Sequence, residues 1–306
     1  MKQSYRRIGL LMLITFIALL GYFLIRTQAD RVAIHFDDTE RIPSYQFESQ
    51  DAPLKIAMIS ILDRADTEQD QRQLANGIGR LLNRPVLLLR RKSYMEINRL
   101  LMRGEADIAL LSTGAYCTYG REEGFQLLAM QERNHLPYYY GYIIAPQDST
   151  AESLSDLRGT RFAYVDPLSY SGCLGVQEQL AAMGEESSHF FQSSYFTYSH
   201  AASIRAVANH EADGATIDSL TYDYLQHHAS QQLQKIRVIA VLPPRGTSPV
   251  VARRGLERTE DIQQAFLHLQ DDPEAQAAMQ HLMIDRFIPP DASLYPPIQW
   301  REGGIR

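Results

Sequence analysis

Gln73-Leu74-Ala75, Ser93-Tyr94, Glu105-Ala106-Asp107 and Tyr116 recur as Gln179-Leu180-Ala181, Ser199-His200, Glu211-Ala212-Asp213 and Tyr222, all at one shared offset. Separate matches that keep a single spacing predict two copies of one βαβαβ unit, each of roughly 100 residues. Two similar α/β lobes in one chain leave a cleft between them, and such clefts are where small ligands bind.

The local pattern fits this frame. In the first copy, Leu54–Ile59 reads as a strand entering a buried sheet. Thr67–Leu82 reads as a helix with Leu74, Ile78, Leu81 and Leu82 on one face. Pro85–Leu89 is the second strand, Tyr94 opens a helix that Gly104 closes, and Asp107–Ser112 is the third strand. Strands near Gln126–Gln131 and Tyr140–Ala145 lead to the second copy. That copy reads as strand Phe162–Val165, helix Ser171–Met183, strand Tyr195–Tyr198, helix Ala201–Asn209 and strand Gly214–Ile217. Ile236–Leu242 is expected to return to the first lobe, capped by helices around Asp261–Leu269 and Pro273–Met283. The expected domains are 1–29 as signal or anchor helix, 30–53 as linker, 54–142 as lobe one, 143–235 as lobe two, and 236–306 as the return to lobe one. Two crossings between lobes make a hinge.

Composition bounds the function. The chain has 306 residues, 45% hydrophobic and 22% charged, with net charge −6. A mildly acidic chain without a Lys/Arg block is a poor nucleic-acid binder. Its two cysteines, Cys117 and Cys173, stand far apart with no CxxC, which argues against zinc and for free thiols. At the N-terminus, Lys2, Arg6 and Arg7 precede an apolar run from Ile8 to Ile25. Such a run spans about 27 Å as a helix, the hydrocarbon thickness of a bilayer. The flanking charges direct the downstream chain out of the cytoplasm, to the extracytoplasmic face of an inner membrane. Thr27-Gln28-Ala29 offers a signal-peptidase site, and retention of residues 8–25 as an anchor is the other reading.

Ligand sites in open α/β sheets lie beyond the carboxyl ends of the strands. That rule selects Ser112 and Thr113 after one third strand and Asp218 at the end of the other. It also selects Tyr94 and His200, each opening the second helix of its repeat. Asp166 to Gly172 joins a strand to a helix, so Ser169, Ser171 and the amides around Tyr170 form an anion seat without formal positive charge. In Tyr138-Tyr139-Tyr140, just before the first crossing, at least one ring is expected in the cleft. No GxSxG, HExxH, P-loop or GxGxxG stands in a supporting context. Casting Ser171, His200 and Asp218 as a hydrolytic triad requires a geometry that the sequence does not supply. No cofactor, metal or catalytic residue is expected.

The run from Tyr140-Gly141-Tyr142-Ile143-Ile144 through Ser153-Leu154-Ser155-Asp156-Leu157-Arg158-Gly159 and Phe162–Gly172 to Ser199-His200 and Asp218-Ser219 resembles the phosphonate/phosphate/phosphite-binding proteins of ABC importers. The likeness extends over nearly all of Leu54 to Trp300. It implies an α/β, two-lobed type II periplasmic-binding fold behind the N-terminal transmembrane or signal helix. By resemblance, Ser169, Ser171 and the amides around Tyr170 hold a small phosphorus oxyanion. Tyr94 and one of Tyr139 or Tyr140 enclose it, His200 contacts it, and Asp218 faces its other end. The implied partner is an ABC permease, or a membrane sensor if the anchor is kept; an enzyme on the same fold is the alternative class. Many relatives carry Ser or Thr where Tyr170 stands. A carboxylate about 4 Å from a phosphoryl charge costs roughly 4 kcal/mol at an effective dielectric of 20. Asp218 is therefore expected to demand a ligand that brings a proton or an ammonium group.

Overall fold

The computed structural model describes residues 52–59, 65–228 and 231–298. The expected leader or anchor and most of the linker lie outside the described residues. Among the described residues no helix is long and apolar enough to cross a membrane.

In the first lobe, β1 (Leu54–Ile59), α1 (Ala65–Leu82), β2 (Val86–Arg91), α2 (Tyr94–Met102) and β3 (Ile108–Leu110) follow one another. β1 sits between its two parallel neighbours, with Leu54 opposite Val86 and Ile56 opposite Ile108. The chain continues through β4 (Gln126–Glu132), β5 (Tyr138–Tyr139) and β6 (Gly141–Pro146). In the second lobe come β7 (Arg161–Tyr164), α3 (Gly175–Ala182), β8 (Ser193–Phe196), α4 (His200–Ala208), β9 (Gly214–Asp218) and α5 (Ser219–His228). Here β7 lies between β8 and β9, again parallel to both. The two copies therefore share strand order as well as sequence spacing. After β10 (Ile236–Val241) and β11 (Arg245–Gly246), the chain closes the first lobe with β12 (Pro249–Ala252), α6 (Thr259–Leu267), α7 (Pro273–His281) and β13 (Arg286–Ile288). The six-stranded sheet runs β13-β4-β12-β3-β1-β2 and the five-stranded sheet runs β10-β6-β9-β7-β8.

Helices cover both faces of each sheet, which is why the central strands read as continuous apolar runs. Along β1, Leu54, Ile56 and Met58 pack with Leu74, Ile78, Phe266 and Phe287 on one face. Ala57 and Ile59 pack with Ile97, Leu101 and Tyr116 on the other. In the second lobe, Phe162 and Tyr164 meet Val176, Leu180 and Phe191, while Ile217 meets Ile204 and Val207.

Two boundaries differ from the sequence reading. Ile236–Val241 does not return to the first lobe: β10 pairs antiparallel with β6, Ile236 opposite Pro146, and Ile236 packs beside Ile204 and Leu225. A short apolar run announces a strand but not its partner. β6 likewise belongs wholly to the second sheet, pairing with β9 from Gly141 onward, so the first crossing precedes Gly141. The crossings instead meet in a separate two-stranded ribbon, β5 with β11, Arg245 opposite Tyr139. The helix expected from Ser171 opens with a widened turn, Tyr170–Leu174, before α3.

Candidate functional site

Ile59 at the carboxyl end of β1 and Leu111 beyond β3 line one cavity with Asp218 at the end of β9. Ser112 beyond β3 hydrogen-bonds to Leu168 beyond β7, and a serine cap starts a helix on each side. Ser93 Oγ accepts from the Glu96 N–H at 3.3 Å, and the Glu96 carboxylate accepts from the Ser93 N–H at 3.2 Å. Ser199 Oγ accepts from the Ala202 N–H at 3.3 Å. A serine cap fixes the first helical residue in direction. Tyr94 and His200, the first residues after these caps, are both buried.

The lobes are in contact. The Tyr94 N–H donates to Asp166 Oδ2 at 3.4 Å, and Ser112 Oγ–H donates to the Leu168 carbonyl at 2.9 Å. Thr113 donates to the Gly246 carbonyl at 2.8 Å. Gly114 lies so close that a Cβ there would stand 2.4 Å from the Leu168 oxygen and 2.6 Å from the Tyr170 nitrogen. Only a residue without a side chain allows that approach. Burial raises the pKa of the Asp166 carboxyl, while N–H groups of Leu168 and Tyr94 pull it down.

Within this contact a set of hydroxyls converges. The Tyr94 phenol lies close enough to Ser169 for that hydroxyl to act on its ionisation. The Tyr139 phenol likewise lies close enough to Thr113 and Ser171 for their hydroxyls to act on its ionisation. Burial drives both phenols well above the ordinary tyrosine range, so they remain protonated donors. Ser169 Oγ accepts from the Gly172 N–H at 3.0 Å and caps the widened turn, which leaves its own proton to donate. Ser169 and Ser171 are buried.

The structure does not bring every expected residue to this cluster. Tyr140 turns away, its ring edge-on to Tyr138 at 5.7 Å. Adjacent strand residues face opposite sides, so Tyr139 enters and Tyr140 does not. Tyr170 contributes only backbone: its hydroxyl donates to the Pro243 carbonyl at 2.8 Å, and the Arg245 guanidinium lies over its ring at 4.7 Å. His200 and Asp218 hold each other. Nδ1 accepts from the Asp218 N–H at 3.0 Å, which places the imidazole proton on Nε2, 3.2 Å from Asp218 Oδ2. Burial lowers the His200 pKa, with Asp218 opposing. Asp218 Oδ1 also accepts from the Thr221 N–H at 2.5 Å, capping α5. Nδ1 is thus occupied by the Asp218 N–H and Nε2 carries the proton, so neither nitrogen is left to take a proton from Ser171.

Beside the hydroxyl cluster a cavity of about 110 Å³ reaches into the first lobe, lined by Tyr94, Ser112 and Asp218 and also by Gln71, Gln131 and Arg133. Arg133 was not among the expected residues. It lies just beyond β4, before the first crossing, and only the fold brings it to the cleft. Burial lowers its pKa to about 10, with Asp218 and Asp285 opposing, so it stays charged at neutral pH. Among the described residues, Glu132, His135 and Asp285 gather ligand atoms within 4.8 Å. Glu132 there is already paired with Arg286 at 2.9 and 3.2 Å. Cys117 and Cys173 are free and buried.

A family model described as "ABC transporter, phosphonate, periplasmic substrate-binding protein" matches residues 56–295. A curated relative, the phosphonates-binding periplasmic protein of Escherichia coli K12, is 30% identical over 152 residues, covering 48% of this chain and 45% of its own length. Among solved structures, the binding-protein component of an ABC phosphonate transporter from Pseudomonas aeruginosa superposes with a TM-score of 0.72 at 20% identity, over 80% of this chain and 84% of that one. PhnD1 from Prochlorococcus marinus, solved with methylphosphonate, gives a TM-score of 0.69 at 16% identity, over 79% and 94%. At those identities the structural likeness speaks for the fold.

Proposed function

We propose reversible capture of a small phosphorus oxyanion, without chemical conversion, for this chain, which belongs to the family of periplasmic substrate-binding proteins of phosphonate ABC transporters. The observation that carries the reading is the burial, where the two lobes meet, of the Tyr94, Tyr139, Ser169 and Ser171 side chains beside the opening amides of the Tyr170–Leu174 turn. Neutral donors in a water-poor cleft suit an oxyanion: each phosphoryl oxygen takes charge-assisted hydrogen bonds, and the hydroxyl cluster itself holds no cation to be desolvated in its absence. The two tyrosines, held protonated by burial, donate across the physiological range. Closure seats Gly114 against Leu168 and Tyr170 and completes the cage; opening about the β5–β11 ribbon releases the ligand unchanged.

The partner on this reading is an ABC permease and the compartment the periplasm. Residues 8–25 would tether the domain to the inner membrane if they are retained. Sequencing the N-terminus of protein purified from membranes tests the tether, which fails if the chain begins at Asp30 and washes free. Thermal melting against phosphate, phosphite and alkylphosphonates tests the capture function. A ligand at 100 times its Kd stabilises by about 2.7 kcal/mol, a shift of several degrees. Silence across the panel would overturn the reading.

A further inference from the structure

The capture reading leaves open what the oxyanion carries at its other end. A guanidinium and a carboxylate both line the first-lobe cavity, Arg133 and Asp218. They are not equally free. Asp218 Oδ1 accepts from the Thr221 N–H at 2.5 Å, and Oδ2 lies 3.2 Å from His200 Nε2. Arg133 donates through Nε to Gln131 Oε1 at 2.8 Å and through Nη1 to the Leu282 carbonyl at 2.9 Å. These two anchors fix the plane of its fork and leave Nη2 without a hydrogen-bond partner among the described residues. The carboxylate is committed within the protein; the cation keeps a free donor. This reverses the expectation from Asp218 alone, that the ligand must bring a proton or an ammonium group.

We propose that Arg133 is a specificity-determining residue, and that the ligand is a phosphonate whose short substituent ends in a carboxylate or comparable anionic acceptor, in preference to an aminoalkyl phosphonate. The inference rests on the phosphorus-oxyanion reading. Met58, Leu110 and Ile284 supply apolar wall for the intervening carbons. An apolar cavity of about 150 Å³ holds benzene, so about 110 Å³ suits two or three carbons and a terminal group. A guanidinium with one free nitrogen donates well to a carboxylate. An ammonium group in the same place meets a like charge, and the single carboxylate among the described lining residues already caps α5 through the Thr221 N–H.

Isothermal titration calorimetry on the purified protein tests this with methylphosphonate, propylphosphonate, 2-aminoethylphosphonate and 3-phosphonopropionate. In the unaltered protein, 3-phosphonopropionate should bind at least tenfold more tightly than 2-aminoethylphosphonate. Arg133→Gln should reduce that ratio to less than threefold while changing propylphosphonate affinity less than threefold. Arg133→Lys, which keeps the charge, should retain most of the preference. Equal or tighter binding of 2-aminoethylphosphonate overturns the proposal, as does a preference that survives Arg133→Gln. Should that variant fail to fold, the ranking in the unaltered protein decides alone. If methylphosphonate binds but the ranking is absent, only this inference falls. If none of the four binds, the capture reading falls with it.

Discussion

Helix α2 of the first lobe and helix α4 of the second begin on the same serine cap, run for the same nine residues and end in the same turn. At the end, Gly104 and His210 both hold positive φ, +67° and +58°. The two residues beyond each fold back alike, with Glu105 and Ala106 donating to the Leu100 carbonyl and Glu211 and Ala212 to that of Ala206. Asp107 then accepts from the Lys55 N–H at 3.0 Å, as Asp213 accepts from the Arg161 N–H at 2.9 Å. At the cleft end the likeness stops. Tyr94 stands opposite His200, Ser112 opposite Asp218, and Gly114 opposite Leu220. Positions that satisfy backbone groups coincide because every copy of the unit must meet the same hydrogen-bond demand. On the proposed capture of a ligand with two unlike ends, the cleft-end positions differ because such a ligand needs two unlike walls.

The largest expected effect comes from making the first lobe resemble the second at Gly114. A side chain there meets the backbone of Leu168 and Tyr170 at 2.4 and 2.6 Å, and backbone cannot give way as a side-chain tip can. Gly114→Val should prevent full closure and weaken oxyanion binding about 100-fold, equivalent to roughly 2.7 kcal/mol, at the upper end of overpacking costs. Small-angle scattering should find no compaction on ligand addition. Undiminished affinity would mean that the lobes need not close to bind.

The paired aspartates come next. Asp107→Ala leaves the Lys55 N–H without its side-chain acceptor, and Asp213→Ala does the same to Arg161. Each should cost about 1–3 kcal/mol in urea unfolding, with a separable effect in each lobe by amide exchange. A much larger cost for one alone would show that the copies are not mechanically equivalent.

Most of the frame was legible because the repeated residues are those the backbone requires. The caps, the positive-φ turns and the Glu-Ala-Asp clamp all depend on contacts made within one copy. What escaped the sequence depends on contacts between copies. Ile236–Val241 reads as a strand, but its place beside β6 is set by the space left open in the second sheet. In the tyrosine run, alternation admits one of two neighbours, and pairing with Arg245 decides for Tyr139. Arg133 follows its strand like an ordinary turn arginine until the crossing carries it to the cavity.

His200 offers a pH contrast with its counterpart Tyr94. The folded state lowers the imidazole pKa, chiefly by burial, so unfolded chains take up a proton first. Stability from this group is present above the unfolded value near 6.5 and is lost as pH falls from there toward the folded value. His200→Gln should cost about 1 kcal/mol or less at pH 8 and flatten the loss in melting temperature between pH 7 and pH 5. Tyr94→Phe should leave that pH slope unchanged, since its phenol stays protonated throughout. A slope unaffected by His200→Gln would assign the acid sensitivity to another group.

The smallest effect lies one turn behind the cleft, where the copies exchange polar for apolar. Ile97-Asn98 in α2 correspond to Ser203-Ile204 in α4. Ser203 is buried and paired, its Oγ 2.7 Å from Thr197 Oγ1. Asn98 is buried as well, yet among the described residues neither its Nδ2 nor its Oδ1 has a partner. A buried amide with full partners is costly to delete, whereas one without them already carries a desolvation penalty of about 1–3 kcal/mol. Asn98→Ala removes that penalty, gains helix propensity of a few tenths of a kcal/mol and leaves a small void that offsets part of the gain. The net expectation is a change within about 1 kcal/mol, on the stabilising side, in urea unfolding, with ligand affinity unmoved. A loss above 2 kcal/mol would mean that an ordered water satisfies the amide, and that the first lobe holds a polar bridge where the second uses the Ser203–Thr197 pair.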